Sequence, residues 1–252
     1  MATALFLVCM LFLLCVWDIT MKLLVAVNFR LARRFVDRRV AIMAYWLVRI
    51  ARAYLGLRFE MSSKSGRELP QSFVLVSNHQ SVADIVALLA FFPEKDLRFV
   101  AKRSLRKWFP AVSWVLRIQR HPLIYRVGHA QETAKILKHA GKHAARYGDC
   151  PVVFPEGTRS RDGQVGTFYA GAIRTILNGA SLPIVSVALD GGYRFAEIRQ
   201  LATRARGAYY RIRVLSVYPA PRTKWEVRDT LAACQEEIRS QLESWRSREV
   251  HV

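Results

Sequence analysis

His79 and Asp84 lie five positions apart and follow directly on an apolar, strand-like run, Phe73–Ser77. If a turn brings the two side chains together, the carboxylate holds one imidazole nitrogen. The other nitrogen is then free to take a proton from a hydroxyl. That arrangement is a general base with its orienting partner. A plainer account is also available. Ser81-Val82-Ala83-Asp84 matches the S-x-x-D pattern of a helix start, in which the carboxylate serves amides of the first turn. With six histidines in the chain, a His-x4-Asp spacing has little specificity by itself.

A second block strengthens the first. Phe154-Pro155-Glu156-Gly157-Thr158-Arg159-Ser160 follows the apolar run Pro151–Val153. A strand end that delivers a carboxylate, a glycine, hydroxyls and a guanidinium into a turn is where α/β proteins hold ligands. Gly157 admits an unusual backbone angle or a close approach. The planar fork of Arg159 suits phosphate, and Thr158 and Ser160 add donors. The bland reading is a solvated surface turn, which also describes Arg161-Asp162-Gly163.

The elements that must position these residues alternate in type. Strand patterns cover Leu57–Met61, Phe73–Ser77, Leu97–Ala101, Pro151–Phe154, Pro183–Leu189 and Ala208–Tyr218. Helical patterns cover Val82–Phe92, Val127–Tyr147 and Ala170–Asn178, ended by Pro93, Gly148 and Gly179. The closing helix, Trp225–Trp245, puts Val227, Leu231, Cys234, Ile238, Leu242 and Trp245 on one stripe. Alternation of this kind predicts an α/β fold, a central sheet covered by helices.

Ahead of it stands an apolar N-terminus. Met1–Trp17 carries no charged side chain, and the apolar character resumes after Asp18 through Phe29. Seventeen helical residues reach roughly 25 Å, slightly short of the ~30 Å hydrocarbon core. The segment either spans with help from Ile19–Phe29 or inserts shallowly. Arg30, Arg33, Arg34, Arg38 and Arg39 follow at once, which places this flank and the later chain on the cytoplasmic side. Val40–Leu57 gathers Arg38, Tyr45, Arg49, Arg52 and Gly56 into a narrow sector, the pattern of an interfacial helix. The alternative is a core helix whose arginines face water. The expected organisation is a membrane-anchoring unit of two helices over 1–57 and a catalytic domain over 58–252.

Composition fits that division. The chain of 252 residues is 52% apolar and carries a net charge of +20. Its mean hydropathy is +0.10. Such a charge calls for an anionic partner: nucleic acid, an anionic membrane or a phosphorylated substrate. The basic residues are dispersed, and no zinc-finger, RNP-like or basic-zipper pattern occurs. Nucleic acid is therefore not expected. Cys9, Cys15, Cys150 and Cys234 form no C-x-x-C pair, so neither a metal site nor a disulfide framework is expected.

Taken together, Asn78-His79-x4-Asp84 and Phe154–Ser160 resemble the glycerolipid acyltransferase family, specifically the lysophosphatidic acid acyltransferase (1-acylglycerol-3-phosphate acyltransferase) type. The resemblance runs from about residue 57 to 190. It implies an O-acyltransferase of phospholipid biosynthesis that uses no cofactor, with acyl-CoA or acyl-carrier protein as co-substrate and a lysophospholipid acceptor at a bilayer with anionic lipids. It further implies His79 as the general base, Asp84 as its orienting partner, and Glu156, Gly157, Thr158 and Arg159 as acceptor-binding residues. Arg120 corresponds to an arginine that contacts the acceptor phosphate, and Lys102 to a basic position of the family. Three departures stand out. Gln119 replaces an aspartate, Tyr169 replaces a lysine, and Ser186 replaces a proline of the usual Val-Pro-Ile-Val-Pro-Val. The first two keep another acceptor open, such as a lyso-amino-acid lipid. A basic non-catalytic membrane protein is the remaining alternative.

Overall fold

The computed structural model describes residues 2–63, 68–108, 111–125, 127–196, 200 and 204–250, with the backbone alone at 107, 108 and 248–250. It opens on two long helices, α1 (Ala2–Val27) and α2 (Phe29–Leu55). The elements that follow are β1 (Arg58–Ser63), β2 (Val74–Ser77), α3 (Ala83–Phe91), β3 (Leu97–Phe99), β4 (Ala101–Lys102), α4 (Leu105–Trp108) and α5 (Val112–Ile118). After them come β5 (Leu123–Ile124), α6 (Ala130–Tyr147), β6 (Cys150–Val153), α7 (Gly171–Leu177), β7 (Ile184–Asp190), β8 (Tyr209–Tyr218) and α8 (Lys224–Val250).

Six strands form one sheet in the order β1-β8-β7-β2-β6-β3. Every neighbouring pair is parallel except β7 and β8. The α/β architecture expected from alternation is therefore present. Its central strands read as unbroken apolar runs because both faces are covered. All four residues of β2, all four of β6 and all seven of β7 are buried. One face packs Phe73, Leu75, Leu97, Phe99 and Val185 against Leu55 of α2 and Leu88 of α3. The other packs Val74, Val76, Val153 and Ile184 against α6, α7 and the stripe of α8. All six residues expected on that α8 stripe are buried.

Short elements were harder to foresee. The strand expected over Leu97–Ala101 is divided: β3 stays in the main sheet, while β4 pairs with β5 as a separate ribbon. The helix expected from Val127 begins at Ala130, since Gly128 and His129 have φ of 66° and 50°.

The N-terminal half differs from expectation more substantially. Val40–Leu57 is not a separate interfacial helix but the second half of α2. Asn28 starts α2 by accepting hydrogen bonds from the amides of Arg30 (2.8 Å) and Leu31 (3.2 Å). Ala32, Val36, Val40, Ala44, Val48, Ala51 and Leu55 form a buried stripe at steps of three and four. That stripe lies against α1, α3 and α5, so protein covers it. Ile42, Tyr45 and Trp46 remain exposed elsewhere on the helix. Ala51, Leu55 and Leu57 join the cluster that holds Phe73 and Leu75, so packing is continuous across the boundary expected at 57.

By length and composition α1 is able to cross a membrane, with a hydropathy of 2.4 over its most apolar window, of which 22% is buried. Leu5, Val8, Leu11, Phe12, Val16, Ile19, Leu23 and Val27 are exposed along it. Its opposite side is fastened to the domain. Asp18 pairs with Lys22 at 2.8 Å and accepts a hydrogen bond from the amide of Ala111 at 2.8 Å, just before α5.

Candidate active site

Strands β2, β6 and β7 all end on the same rim of the sheet, and the loops after them meet there. The loop after β2 is fixed by Asn78, whose side chain donates to the carbonyl of Leu189 (2.8 Å) and accepts from its amide (2.9 Å). This pair of bonds mimics one more rung of the β2–β7 ladder and sets where His79 emerges.

His79 Nδ1 lies 2.8 Å from Oδ2 of Asp84. The same carboxylate oxygen accepts from the amides of Gln80 (2.6 Å) and Ser81 (2.9 Å). Oδ1 accepts from the hydroxyl of Tyr210 at 2.6 Å. Asp84 thus serves amides of the preceding loop as well as the imidazole, while Ser81 Oγ accepts from the amide of Ala83 at the helix start. One carboxylate meets both the imidazole and backbone amides, the amides being those of the loop before α3 rather than of its first turn. The Asp84 side chain is fully buried, and that of His79 is 17% exposed. With Nδ1 donating to Asp84, Nε2 carries the free lone pair. Among the described residues Nε2 has no hydrogen-bond partner. The ring is held flat against Phe154, with centroids 4.1 Å apart and planes 13° apart.

The loop after β6 is tied to this pair. Glu156 Oε1 accepts from the amide of His79 (3.0 Å), and Oε2 accepts from the amide of Gly166 (3.1 Å). The amide of Ser160 donates to the carbonyl of His79 at 2.8 Å. Burial raises the Glu156 carboxyl above its ordinary range, against the pull of those two amides. Glu156, expected in acceptor binding, has each oxygen engaged by a backbone amide, which ties the two loops together. Gly157 has a φ of 69° with open space around it, which makes the backbone angle its reason for being glycine. Gly157, Thr158 and Arg159 are exposed on the turn, and no ion pair engages Arg159 among the described residues. Arg161-Asp162-Gly163 is the simple turn expected, closed by Asp162 accepting from the Gln164 amide at 2.9 Å.

Lys102 and Arg120 stand apart from this group. Lys102 is exposed on β4, and Arg120 is exposed after α5 with a φ of 55°. Both belong to the β3 side of the sheet. Gln119, marked in the sequence as a possible reader of the acceptor, is 2% exposed and committed elsewhere. Its Nε2 donates to Asp37 at 3.0 Å, and its Oε1 faces His121 Nε2 at 3.2 Å. His121 Nδ1 in turn accepts from the amide of Phe99 at 2.9 Å. Burial first, then the nearby Arg98, pushes the His121 pKa down to about 3, so its ring stays neutral. A carboxamide donates to Asp37 and accepts from His121 at once, which an ionised carboxylate cannot do. Gln119→Glu should therefore lower stability by about 1–3 kcal/mol, read as a fall in Tm, by facing a second carboxylate toward Asp37.

The comparisons with known proteins bear on what this geometry serves. The family model described as Acyltransferase matches residues 60–190, which contain every residue of both loops. The chain belongs to the acyltransferase family. Among its relatives is a Pseudomonas aeruginosa protein named 1-acyl-sn-glycerol-3-phosphate acyltransferase. It is 31% identical over 165 residues, covering 65% of this chain and 60% of that one. A human protein named 1-acyl-sn-glycerol-3-phosphate acyltransferase beta is 30% identical over 142 residues, covering 56% and 50%. The matches thus span 60% or less of these relatives' own length. The crystal structure of the acyltransferase PlsC from Thermotoga maritima shares the fold with a TM-score of 0.62. It is 20% identical, with 92% of this chain and 95% of that one covered.

In this acyltransferase-family chain, Tyr210 is the site residue that sequence reasoning missed. It lies on β8, outside the matched segment, and its phenol is pushed well above its ordinary pKa by burial and then by the charge of Asp84. It therefore remains a donor to Asp84 at any working pH. Gly192 is a second such residue: a Cβ there would sit 2.9 Å from Asp84 Oδ1. Tyr210→Phe keeps the buried ring and removes one hydrogen bond to a charged group, worth roughly 1.5–3 kcal/mol. The expected result is a kcat about tenfold lower with acceptor KM unchanged, checked by steady-state kinetics.

Proposed function

We propose that the chain transfers an acyl group from a thioester donor to the free hydroxyl of a lysophospholipid, with lysophosphatidate going to phosphatidate. The observation that carries this reading is His79 Nδ1 held 2.8 Å from a buried Asp84, with Nε2 left bare, in a chain of the acyltransferase family.

In the proposed reaction, Nε2 takes the proton of the acceptor hydroxyl as its oxygen attacks the thioester carbonyl. The carbon–sulfur bond then breaks, and the departing thiolate recovers the proton from the imidazolium. The products are the diacyl lipid and a free thiol. Asp84 steadies the transient positive charge, and the backbone ties of Glu156 keep the two loops in register. Arg159 precedes Ser160, whose amide donates to the carbonyl of His79, and it would hold the acceptor phosphate. General-base assistance is worth roughly 10²–10⁴-fold, and a thioester is already activated.

The acceptor and product are lipids, and the exposed apolar face of α1 gives the chain a reason to sit at a bilayer. Each such side chain contributes about 1.5–3 kcal/mol when fully removed from water. Since Asp18 keeps α1 docked beside α5, shallow insertion of that face suits the structure better than a detached span. The arginines after Asn28 would then meet anionic lipid on the cytoplasmic side. A second acceptor reading rests on Tyr169, 65% exposed where the family resemblance implies lysine. Purified chain in lipid particles, offered a panel of lyso-lipids with acyl-CoA or acyl-carrier protein, separates the two. Lysophosphatidate should turn over fastest; preference for a larger headgroup would favour the second reading.

A further inference from the structure

The closing helix α8 lies outside the matched segment 60–190, yet it is tied to both loops of the candidate site. Arg246 is the main tie. Its guanidinium lies against the carboxylate of Asp190, with Nη2 donating to Oδ1 at 2.7 Å and Nε 3.5 Å from Oδ2. The same Nη2 donates to the carbonyl of Gly163 at 2.8 Å. The guanidinium also covers the ring of Tyr193, 5.2 Å from its centroid.

Each end of this bridge leads to a residue of the site. Asp190 closes β7 and is buried. Its Oδ1 also accepts from Nε2 of Gln80 at 3.3 Å, and Oε1 of Gln80 accepts from the amide of Tyr193 at 3.4 Å. Gln80, fully buried one residue after His79, is therefore fixed at both ends of its amide group. On the other side, the turn at 161–163 continues from Thr158 and Arg159. Simple in its backbone, it is packed underneath: Gly163 is buried with a φ of 80°, and a Cβ there would come within 2.7 Å of both Arg246 Nη2 and the Tyr193 ring. A second tie lies three turns earlier on α8, where Gln235 Nε2 donates to the carbonyl of Gly166 at 2.7 Å. The amide of that same glycine reaches Glu156. Val165, between the two tied glycines, packs against the cluster of Ile238, Leu242 and Trp245.

A fastener of α8 alone would need one partner. Arg246 instead divides one nitrogen between oxygens on two different loops, a use that suits the rigid fork of a guanidinium. We propose that Arg246 is a positioning residue for acyl transfer. Through Asp190 and Gln80 it fixes the loop of His79, and through Gly163 it fixes the turn of Arg159. It thereby sets the distance from the base to the acceptor phosphate. This assignment rests on the acyl-transfer reading above, in which Arg159 holds that phosphate. Attack geometry is demanding: a displacement of about 1 Å is enough to slow a reaction by about 10²-fold.

The test uses the full chain in lipid particles with Arg246→Gln, Arg246→Lys and Gln235→Ala, the last of which removes the second tie without uncovering a charge. Arg246→Gln should raise the lysophosphatidate KM and lower kcat by about tenfold each, with the acyl-CoA KM changed less than about twofold. Arg246→Lys keeps the charge beside Asp190 but not the fork, and should lie between that variant and wild type. Gln235→Ala should raise the lysophosphatidate KM by about threefold, and its KM split decides the matter if Arg246→Gln does not fold. In an Arg159→Ala background, Arg246→Gln should leave the lysophosphatidate KM within about twofold, since the turn then carries no cation to misplace. Amide hydrogen exchange in Arg246→Gln should quicken over 79–81 and 158–166. Equal shifts in both KM values, a full effect of Arg246→Gln on top of Arg159→Ala, or a lower Tm with unchanged kinetics would each overturn the assignment. If wild-type chain acylates no lyso-lipid while Arg246→Gln still frees both loops in exchange, the acyl-transfer reading falls and the bridge between the loops stands.

Discussion

Asp84→Asn is expected to lower acyl transfer by roughly 10²–10⁴-fold while leaving the chain folded. The asparagine can keep its carbonyl oxygen where Oδ2 now accepts from the Gln80 and Ser81 amides, and turn its amide toward the Tyr210 hydroxyl, which is able to accept. Loop geometry survives such an exchange. The negative charge does not, and with it goes the stabilisation of an imidazolium at His79. The loss should therefore appear in kcat, with acceptor KM and Tm close to wild type. Asp84→Glu should not rescue the rate, because Gly192 leaves no room for a longer side chain: even a Cβ there would lie 2.9 Å from Oδ1. Full activity in Asp84→Asn would reduce this residue to a fastener of its own loop.

How much of this arrangement could be read in advance depended on sequence distance. His79, Asp84 and Glu156 follow apolar runs that are buried on both faces, so each announces a strand end, and the loops after β2 and β6 could be placed on one rim. Tyr210 could not be found that way. It is 126 residues from Asp84, inside a strand whose alternation is accounted for by packing. Nothing local distinguishes a phenol that serves a carboxylate from one that fills a core. The same holds for Arg98, a buried cation in a three-residue strand, and for Gln119, whose significance lies in Asp37 and His121 rather than in any ligand. Segment 103–125 escaped because helices of four and seven residues and strands of two fall below the length at which a hydrophobic period can be recognised.

The N-terminal helices teach a related lesson. The apolar segment was expected to end at Phe29 and a second helix to start at Val40, whereas α2 already begins at Phe29, capped by the side chain of Asn28. The alternation of valines and alanines at steps of three and four marked the buried stripe of α2, and the arginines drew attention to the other side.

The proposed reaction requires His79 to act as a base toward a lipid hydroxyl. His79→Ala removes the bare Nε2 and leaves Asp84 its amides and Tyr210, while Glu156 keeps the backbone amide at position 79. The ring stacks on Phe154 at the rim of the sheet, outside the clusters that form the core, so the variant should fold. The decisive measurement is single-turnover acyl transfer from acyl-CoA to lysophosphatidate by wild type and His79→Ala at equal protein in the same lipid particles. The predicted result is a rate lower by roughly 10²–10⁴-fold with binding of both substrates retained. Undiminished transfer in His79→Ala would contradict it.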